Sequence, residues 1–351
     1  MKKIFLLNVA VLLFATIILK SQDQNYSQFF NNRLYYNPAY AGLYNGVRAS
    51  FNYRKQWTNI PYDFNSYNVS VDMAVRNLPG AGGVGLIFHH NNQGTGMIKN
   101  VYAGLVLSAR IYPAENYTIQ FGITTAVSQR SINWNGLVFP DQLDSKYGNI
   151  YSTGFTEPFR GSVVYPDFNF GSVLNYTSEN MNARIGGSIS HIFQPKIGFV
   201  ETESQLYMKF VAHADALIFI NGSSNRRDRR SAGSAKINPG FLYENQNGDN
   251  SFSFGINGYK SFMYLGVWFR NEDFNTANLS TMVFLAGVNF PINDDSRIKI
   301  MYSYDYVMNG ISIGGSHEIS VIFEFQNSNV MGAAAPGGHR KNWGAESCSP
   351  F

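Results

Sequence analysis

From about residue 46 onward the chain alternates apolar and polar side chains with a period of two, and it does so in about fourteen successive segments. Side chains of an extended strand point alternately to opposite faces, so this pattern demands strands with one wet and one apolar face. In 207–218 Met208, Phe210, Ala212, Ala214, Ala216 and Ile218 oppose Lys209, His213 and Asp215. In 297–306 Ile298, Ile300, Tyr302, Tyr304 and Tyr306 oppose Arg297, Lys299, Ser303 and Asp305. Tyr67, Val69, Val71, Met73 and Val75 likewise oppose Asn68, Ser70 and Asp72, and Ile119, Phe121, Ile123 and Val127 oppose Thr118, Gln120, Thr124 and Ser128. The segments fall near 46–57, 65–76, 82–92, 98–112, 116–130, 165–177, 181–194, 205–218, 233–246, 249–259, 262–271, 279–291, 295–306 and 315–326.

A soluble sandwich or propeller also alternates, and composition decides between the two. Charged residues are only 14% of the chain and aromatic residues 15%, whereas a soluble surface carries far more charge. Lys2 and Lys3 precede an apolar run from Ile4 to Leu19, the layout of a secretory signal peptide, with cleavage expected before Gln22. Exported strands with one apolar face predict a transmembrane antiparallel β-barrel of about 14 strands, because only a closed sheet satisfies its backbone in lipid. Most segments reach the roughly nine to eleven residues that a tilted crossing needs. Outer-membrane lipid is the partner of the apolar face. Loss of residues 1–21 removes Lys2, Lys3 and Lys20 and no acid, which takes the net charge from +4 to +1 and leaves no footprint for nucleic acid. Cys348 is the sole cysteine, so neither an internal disulfide nor a thiolate metal cage is available.

The connections carry a second signal. Those after even-numbered segments are turn-sized, such as "PAE" at 113–115, "SEN" at 178–180 and "KS" at 260–261, while those after odd-numbered segments include a long excursion from 131 to 164. Short turns belong on the periplasmic side of such barrels and longer loops outside, which predicts that both termini are periplasmic or in the lumen. "NGSSNRRDRRSAG" at 221–233 breaks the rule, and its Arg226, Arg227, Arg229 and Arg230 offer a basic periplasmic contact for an acidic partner or phospholipid head groups, or a merely solvated loop.

No catalytic constellation emerges, and no cofactor is expected. "GAGGVG" at 80–85 matches a nucleotide-binding spacing, but a strand and not a helix follows it. His89 and His90 point to opposite faces of a strand. His213 and Asp215 share a face and read as a hydrogen-bonded lumen cluster before they read as a metal pair.

The segment between signal and barrel, "QDQNYSQFFNNRLYYNPAYAGLYNG", is rich in aromatics, with Tyr26, Phe29, Phe30, Tyr35, Tyr36, Tyr40 and Tyr44. Disordered tails are poor in such residues, so the segment is expected to be ordered against something. Pro38 fixes its own φ and holds Asn37 extended, while Gly42 permits a bend. The product is a stiff elbow bearing aromatic anchors.

These residues resemble a known family. "QNYSQFFNNRLYYNPAYAG" followed by "YRKQW" at 53–57, with "PDFNFG" at 166–171 and "GGSISHIF" at 186–193, is similar to the type IX secretion system membrane proteins called PorP/SprF. The resemblance implies an outer-membrane barrel of the Bacteroidota envelope, working with type IX secretion components in the secretion or surface anchoring of a large adhesin addressed by its C-terminal domain, including adhesins of gliding motility. Gln28, Phe29, Asn37, Pro38, Ala39, Tyr40, Gly42, Arg54, Gln56 and Trp57 are then the residues expected to bind a partner or to anchor the segment to the barrel. Arg33 departs from the family pattern, where an apolar or small polar residue is expected. The expected organisation is a signal peptide over 1–21, an aromatic segment with its elbow over 22–45, a barrel over 46–326 and a tail over 327–351. A channel or hydrophobic-substrate transporter is the alternative, and an outer-membrane lipid hydrolase is a third class for which no constellation is found.

Overall fold

The computed structural model describes residues 23–44, 46–62, 64–75, 79–94, 98–156, 161–199, 204–220, 235–271, 280–293, 296–308 and 314–325. Fourteen strands form one closed antiparallel barrel: β1 Val47–Gln56, β2 Phe64–Ala74, β3 Ala81–Gln93, β4 Ile98–Ala114, β5 Tyr117–Ser131, β6 Ser162–Thr177, β7 Met181–Ser190, β8 Lys209–Phe219, β9 Ala235–Gln246, β10 Asp249–Lys260, β11 Met263–Asn271, β12 Thr281–Pro291, β13 Ser296–Val307 and β14 Ser316–Phe325. Each pairs with its neighbour in sequence, and β1 closes the ring on β14 from Val47 opposite Phe325 to Lys55 opposite His317. The ring itself has no unpaired edge, which is the condition for strands in lipid.

The fourteen segments expected from alternation are the fourteen strands, with ends moved by a few residues. The two largest shifts have local causes. β7 stops at Ser190 because His191 takes a left-handed conformation, φ 57°, and β8 starts at Lys209 because Gln205 bridges to Lys196 within the preceding connection.

The barrel is inside out relative to a soluble protein. Leu86, Leu105, Ile123, Phe210, Phe284, Ile300 and Tyr302 stand exposed on the outer wall, while the alternate rows bury Arg54, Lys299, Glu318, Asp305 and Gln120. One rim carries the turn-sized connections Lys260–Met263 and Ala114–Tyr117 and the other carries 132–161 and 191–208. Asn247–Gly248, also on the long-loop rim, is a two-residue hairpin with φ 53° and 82° at its centre, values that suit the twist of paired strands. Within the excursion after β5, residues 132–156 include two 3-10 turns, Trp134–Gly136 and Pro140–Gln142, and a small ribbon that pairs Leu143–Asp144 with Gly148–Asn149.

Candidate functional site

The lumen is occupied by the N-terminal segment. Among the described residues its regular structure is a single helical turn, α1 Arg33–Tyr36, followed by a 3-10 turn at Pro38–Tyr40. Asn37 is extended at φ −154° and ψ 114°, as the proline after it requires, and its side chain accepts from the Ala39 amide at 2.9 Å. Gly42 completes the elbow at φ 67°. The segment runs from one rim to the other. Tyr44 lies where β1 begins, at the short-turn rim, and Asp23 lies at the long-loop rim, with its amide donating to Gln246 Oε1 at 2.9 Å.

The elbow rests directly on backbone. Gly42 N donates to Asp72 Oδ2 at 2.9 Å, and a Cβ added to Gly42 would meet Gly83 Cα at 2.6 Å. A Cβ on Gly122 would meet the Pro38 carbonyl carbon and the Ala39 nitrogen, and one on Gly171 would meet the Asn37 side chain. Asn37 Nδ2 donates to the carbonyls of Ser172 at 3.0 Å and Gly187 at 3.1 Å, and it lies 3.2 Å from His213 Nε2. Tyr40 sits over His213, with its hydroxyl 3.4 Å from Nδ1. Successive elbow residues therefore meet successive walls, β3, β5, β6, β7 and β8. Gly83, Gly122 and Gly171 are contact positions of the elbow that residue-type reasoning missed. The signal was present, since a glycine in an inward row of a strand marks close approach by another backbone.

Nearer the long-loop rim the contacts become ionic. Arg54, on β1, donates from Nη1 to Ser27 Oγ at 2.7 Å and pairs with Asp305 Oδ2 at 2.7 Å and Glu318 Oε2 at 3.2 Å. Ser27 N donates to Glu318 Oε2 at 2.7 Å, and Ser27 Oγ donates to Asp305 Oδ2 at 2.6 Å. Gln28 Nε2 donates to Ser303 Oγ at 3.1 Å and to the Glu318 carbonyl at 3.0 Å. Gln56 accepts from Gln24 Nε2 at 2.8 Å. Phe29 packs edge-on against Trp268, with ring centres 5.0 Å apart. Trp57 takes φ 53° and packs edge-on against Phe64, with ring centres 4.7 Å apart. Arg33 is buried, with Nε donating to the Phe30 carbonyl at 3.0 Å and its guanidinium 5.4 Å over the Tyr40 ring. Arg226, Arg227, Arg229 and Arg230 lie outside the described residues.

A third cluster fastens the start of the segment. His191 Nε2 lies 2.7 Å from Asp23 Oδ2, and its Nδ1 lies 2.9 Å from Asp167 Oδ2. Burial opposes a charge on His191, but Asp23 and Asp167 outweigh it and push the imidazole up to about 10. Burial also opposes ionisation of Asp23, and His191 overrides it, holding the carboxyl well below its ordinary range. Asp167 belongs to "PDFNFG" and His191 to "GGSISHIF", so the quoted sequence motifs converge on one contact. His213 and Asp215, expected to share a polar cluster, divide it: His213 meets the elbow, and Asp215 pairs with Arg184.

Two cavities flank the segment. One of ≈ 510 Å³ opens at the long-loop rim between Gln24, Arg54, Trp57, Glu244 and Arg270. The other, ≈ 70 Å³, lies between Tyr35 and the walls β3 to β8.

Built from these residues, the molecule is a closed membrane β-barrel of the outer-membrane type whose lumen is crossed by its own N-terminal segment. The model of the family "Type IX secretion system membrane protein PorP/SprF" matches residues 18–323, and the chain belongs to that family. No curated protein matches the chain. Among solved structures it is similar to the TodX deltaS2S3 mutant monoaromatic hydrocarbon channel, at 10% identity and TM-score 0.45 over 85% of this chain and 94% of that one. It is also similar to a Pseudomonas aeruginosa FadL homologue, at 10% identity and TM-score 0.39 over 80% and 89%, and to the porin NanC, at 11% identity and TM-score 0.38 over 80% and 100%. At these scores the likeness carries no argument about transport.

Proposed function

We propose that the protein serves the type IX secretion and gliding-motility apparatus in the outer membrane as a docking and anchoring barrel, and not as a conduit. Its partner is a secreted adhesin, held through the adhesin's C-terminal domain, together with other components of the apparatus. The observation that carries this reading is the rim-to-rim course of residues 23–44 through the lumen, fixed by backbone contact at Gly83 and Gly122 and by the buried Arg54 cluster. A polypeptide could pass only if those contacts were broken together. Long loops face outward in barrels of this type, and loops are where binding residues concentrate, so the rim with the ≈ 510 Å³ vestibule is the surface offered to the adhesin. Gln28, Phe29, Asn37, Pro38, Ala39, Tyr40, Gly42, Arg54 and Gln56 anchor the segment that gives this rim its floor, and Trp57 lines the vestibule above it.

Two measurements test the reading. The whole barrel in planar bilayers should show no steady conductance, and deletion of 23–42 should create it. Affinity capture from envelopes should recover an exported protein carrying a type IX C-terminal domain. Steady porin-like conductance of the intact protein would overturn the anchor in favour of a channel or hydrophobic-substrate transporter.

A further inference from the structure

The smaller lumen cavity contains an arginine with no ion-pair partner among the described residues. Arg130 projects from the long-loop end of β5 into this cavity, beside Tyr165, Asn100 and Tyr102. Its guanidinium stands 5.7 Å over the Phe199 ring, its buried Nε has no hydrogen-bond partner, and no ion pair reaches it among the described residues. A buried donor left unsatisfied costs about 1–3 kcal/mol and more when charged, and an acceptor entering this cavity would relieve that cost. The other charges on the wall set the sign. Lys209 and protonated His191 also line the cavity, against one carboxylate, Asp23, which is already engaged by His191 at 2.7 Å. Lys209 pairs from behind with Glu244 at 2.8 Å and His191 lies between Asp23 and Asp167, and among the described residues no carboxylate stands within ion-pair distance of Arg130.

The remainder of the wall is apolar or aromatic: Leu34, Ile87, Val101, Tyr35, Tyr102 and Val211. Ile197 and Leu206, from the connection between β7 and β8, cover the cavity and are themselves buried. We infer that this cavity binds a carboxylate carried on a short apolar or aromatic stem, with Arg130 forming the bidentate pair that its planar fork favours and the aromatic wall holding the stem. The chain terminus of a polypeptide and a free small carboxylic acid share that chemistry. The inference stands apart from the docking role, since the cavity lies beside the segment and not in the vestibule.

The test uses the full-length barrel in detergent and three probes: a tripeptide ending in a phenylalanine free acid, the same tripeptide amidated, and 3-phenylpropanoate. Calorimetry should detect the acids. Amidation, and separately Arg130→Gln, should weaken binding roughly 10- to 100-fold, as expected for loss of a hydrogen bond to a charged group. Arg130→Lys should fall between, because it keeps the charge and loses the fork. Binding of the peptide acid alone assigns the site to chain termini, and equal binding of 3-phenylpropanoate assigns it to small acids. Equal affinity for acid and amide, unchanged affinity in Arg130→Lys and Arg130→Gln, or binding of none of the probes would overturn the inference. The acid and amide comparison on the unsubstituted protein decides the matter even if a variant fails to fold.

Discussion

Gly122→Ala is the smallest change that should unseat the N-terminal segment. The added methyl group would point into the lumen and overlap the Pro38 carbonyl carbon and the Ala39 nitrogen, both backbone atoms that cannot swing aside. Non-bonded carbons settle about 3.5 Å apart, so the elbow must retreat from β5 by about 1 Å. Asn37 loses most by that retreat, because its bonds to the Ser172 and Gly187 carbonyls are already 3.0 and 3.1 Å long. Breaking them costs about 0.5–1.5 kcal/mol each, and overpacking adds about 1–3 kcal/mol. Docking of the elbow is then weakened by roughly 2–6 kcal/mol, which raises the undocked fraction about 30- to 20,000-fold at tenfold per 1.4 kcal/mol. Planar-bilayer recording should show opening events absent from the parent protein, and protease should reach residues 33–42. Gly258→Ala is the control, since its new methyl group would lie 3.9 Å from the nearest atom, the Leu265 carbonyl oxygen. Identical traces and identical thermal midpoints for the two variants would refute the close-contact argument.

Two further outcomes can be checked on the same preparation. Arg54→Met removes the guanidinium shared by Ser27, Asp305 and Glu318 and leaves buried Glu318 without a cation while Asp305 keeps Arg270 at 3.7 Å, so unfolding in detergent should lose about 3–5 kcal/mol; a loss below about 1 kcal/mol would contradict the geometry. The start of the segment should also depend on pH. Asp23 is depressed below its ordinary 3.8, so its contribution is present above that value and is lost as pH falls through the lower one. His191 is raised to about 10, so its contribution is complete below its ordinary 6.5 and is lost as pH rises through about 10. Amide exchange over residues 23–28 should therefore be slowest between about pH 4 and 6.5, after correction for the intrinsic rate, with Lys209 adding a further hold on Asp23. A flat corrected profile would remove the latch from the account.

Legibility from sequence followed the range of the interactions. Alternation is a local property, so the strands, their lipid face and their inward rows could be read directly; Phe210 outward and Lys209 inward is one residue's difference in register. The order of the N-terminal segment was legible because aromatic content and an Asn-Pro elbow are local too. Its binding surface was not, because Ser27 and Glu318 are 291 residues apart and meet only after the ring closes. "GAGGVG" shows the same limit. Its glycines read correctly as turn and strand, Gly80 at φ 78° before β3, but the reason Gly83 has no side chain is Gly42, which no pattern within β3 reveals.

The way the segment's contacts are shared explains why anchor and barrel form one unit. The elbow lies against β3 to β8, whereas Ser27 and Gln28 bind side chains and backbone of β1, β13 and β14. β1 and β14 are the two strands whose pairing closes the ring. Arg54 of β1, Asp305 of β13 and Glu318 of β14 are therefore brought together only by closure, and like-charged Asp305 and Glu318 need both Arg54 and the Ser27 donors between them. An empty ring would leave Glu318 without its backbone donors in a buried site, a cost of about 1–3 kcal/mol or more for a charged group. Closure thus favours a filled lumen, and a filled lumen favours closure. That mutual dependence suits a barrel whose work is done at its rim better than one that must clear its bore.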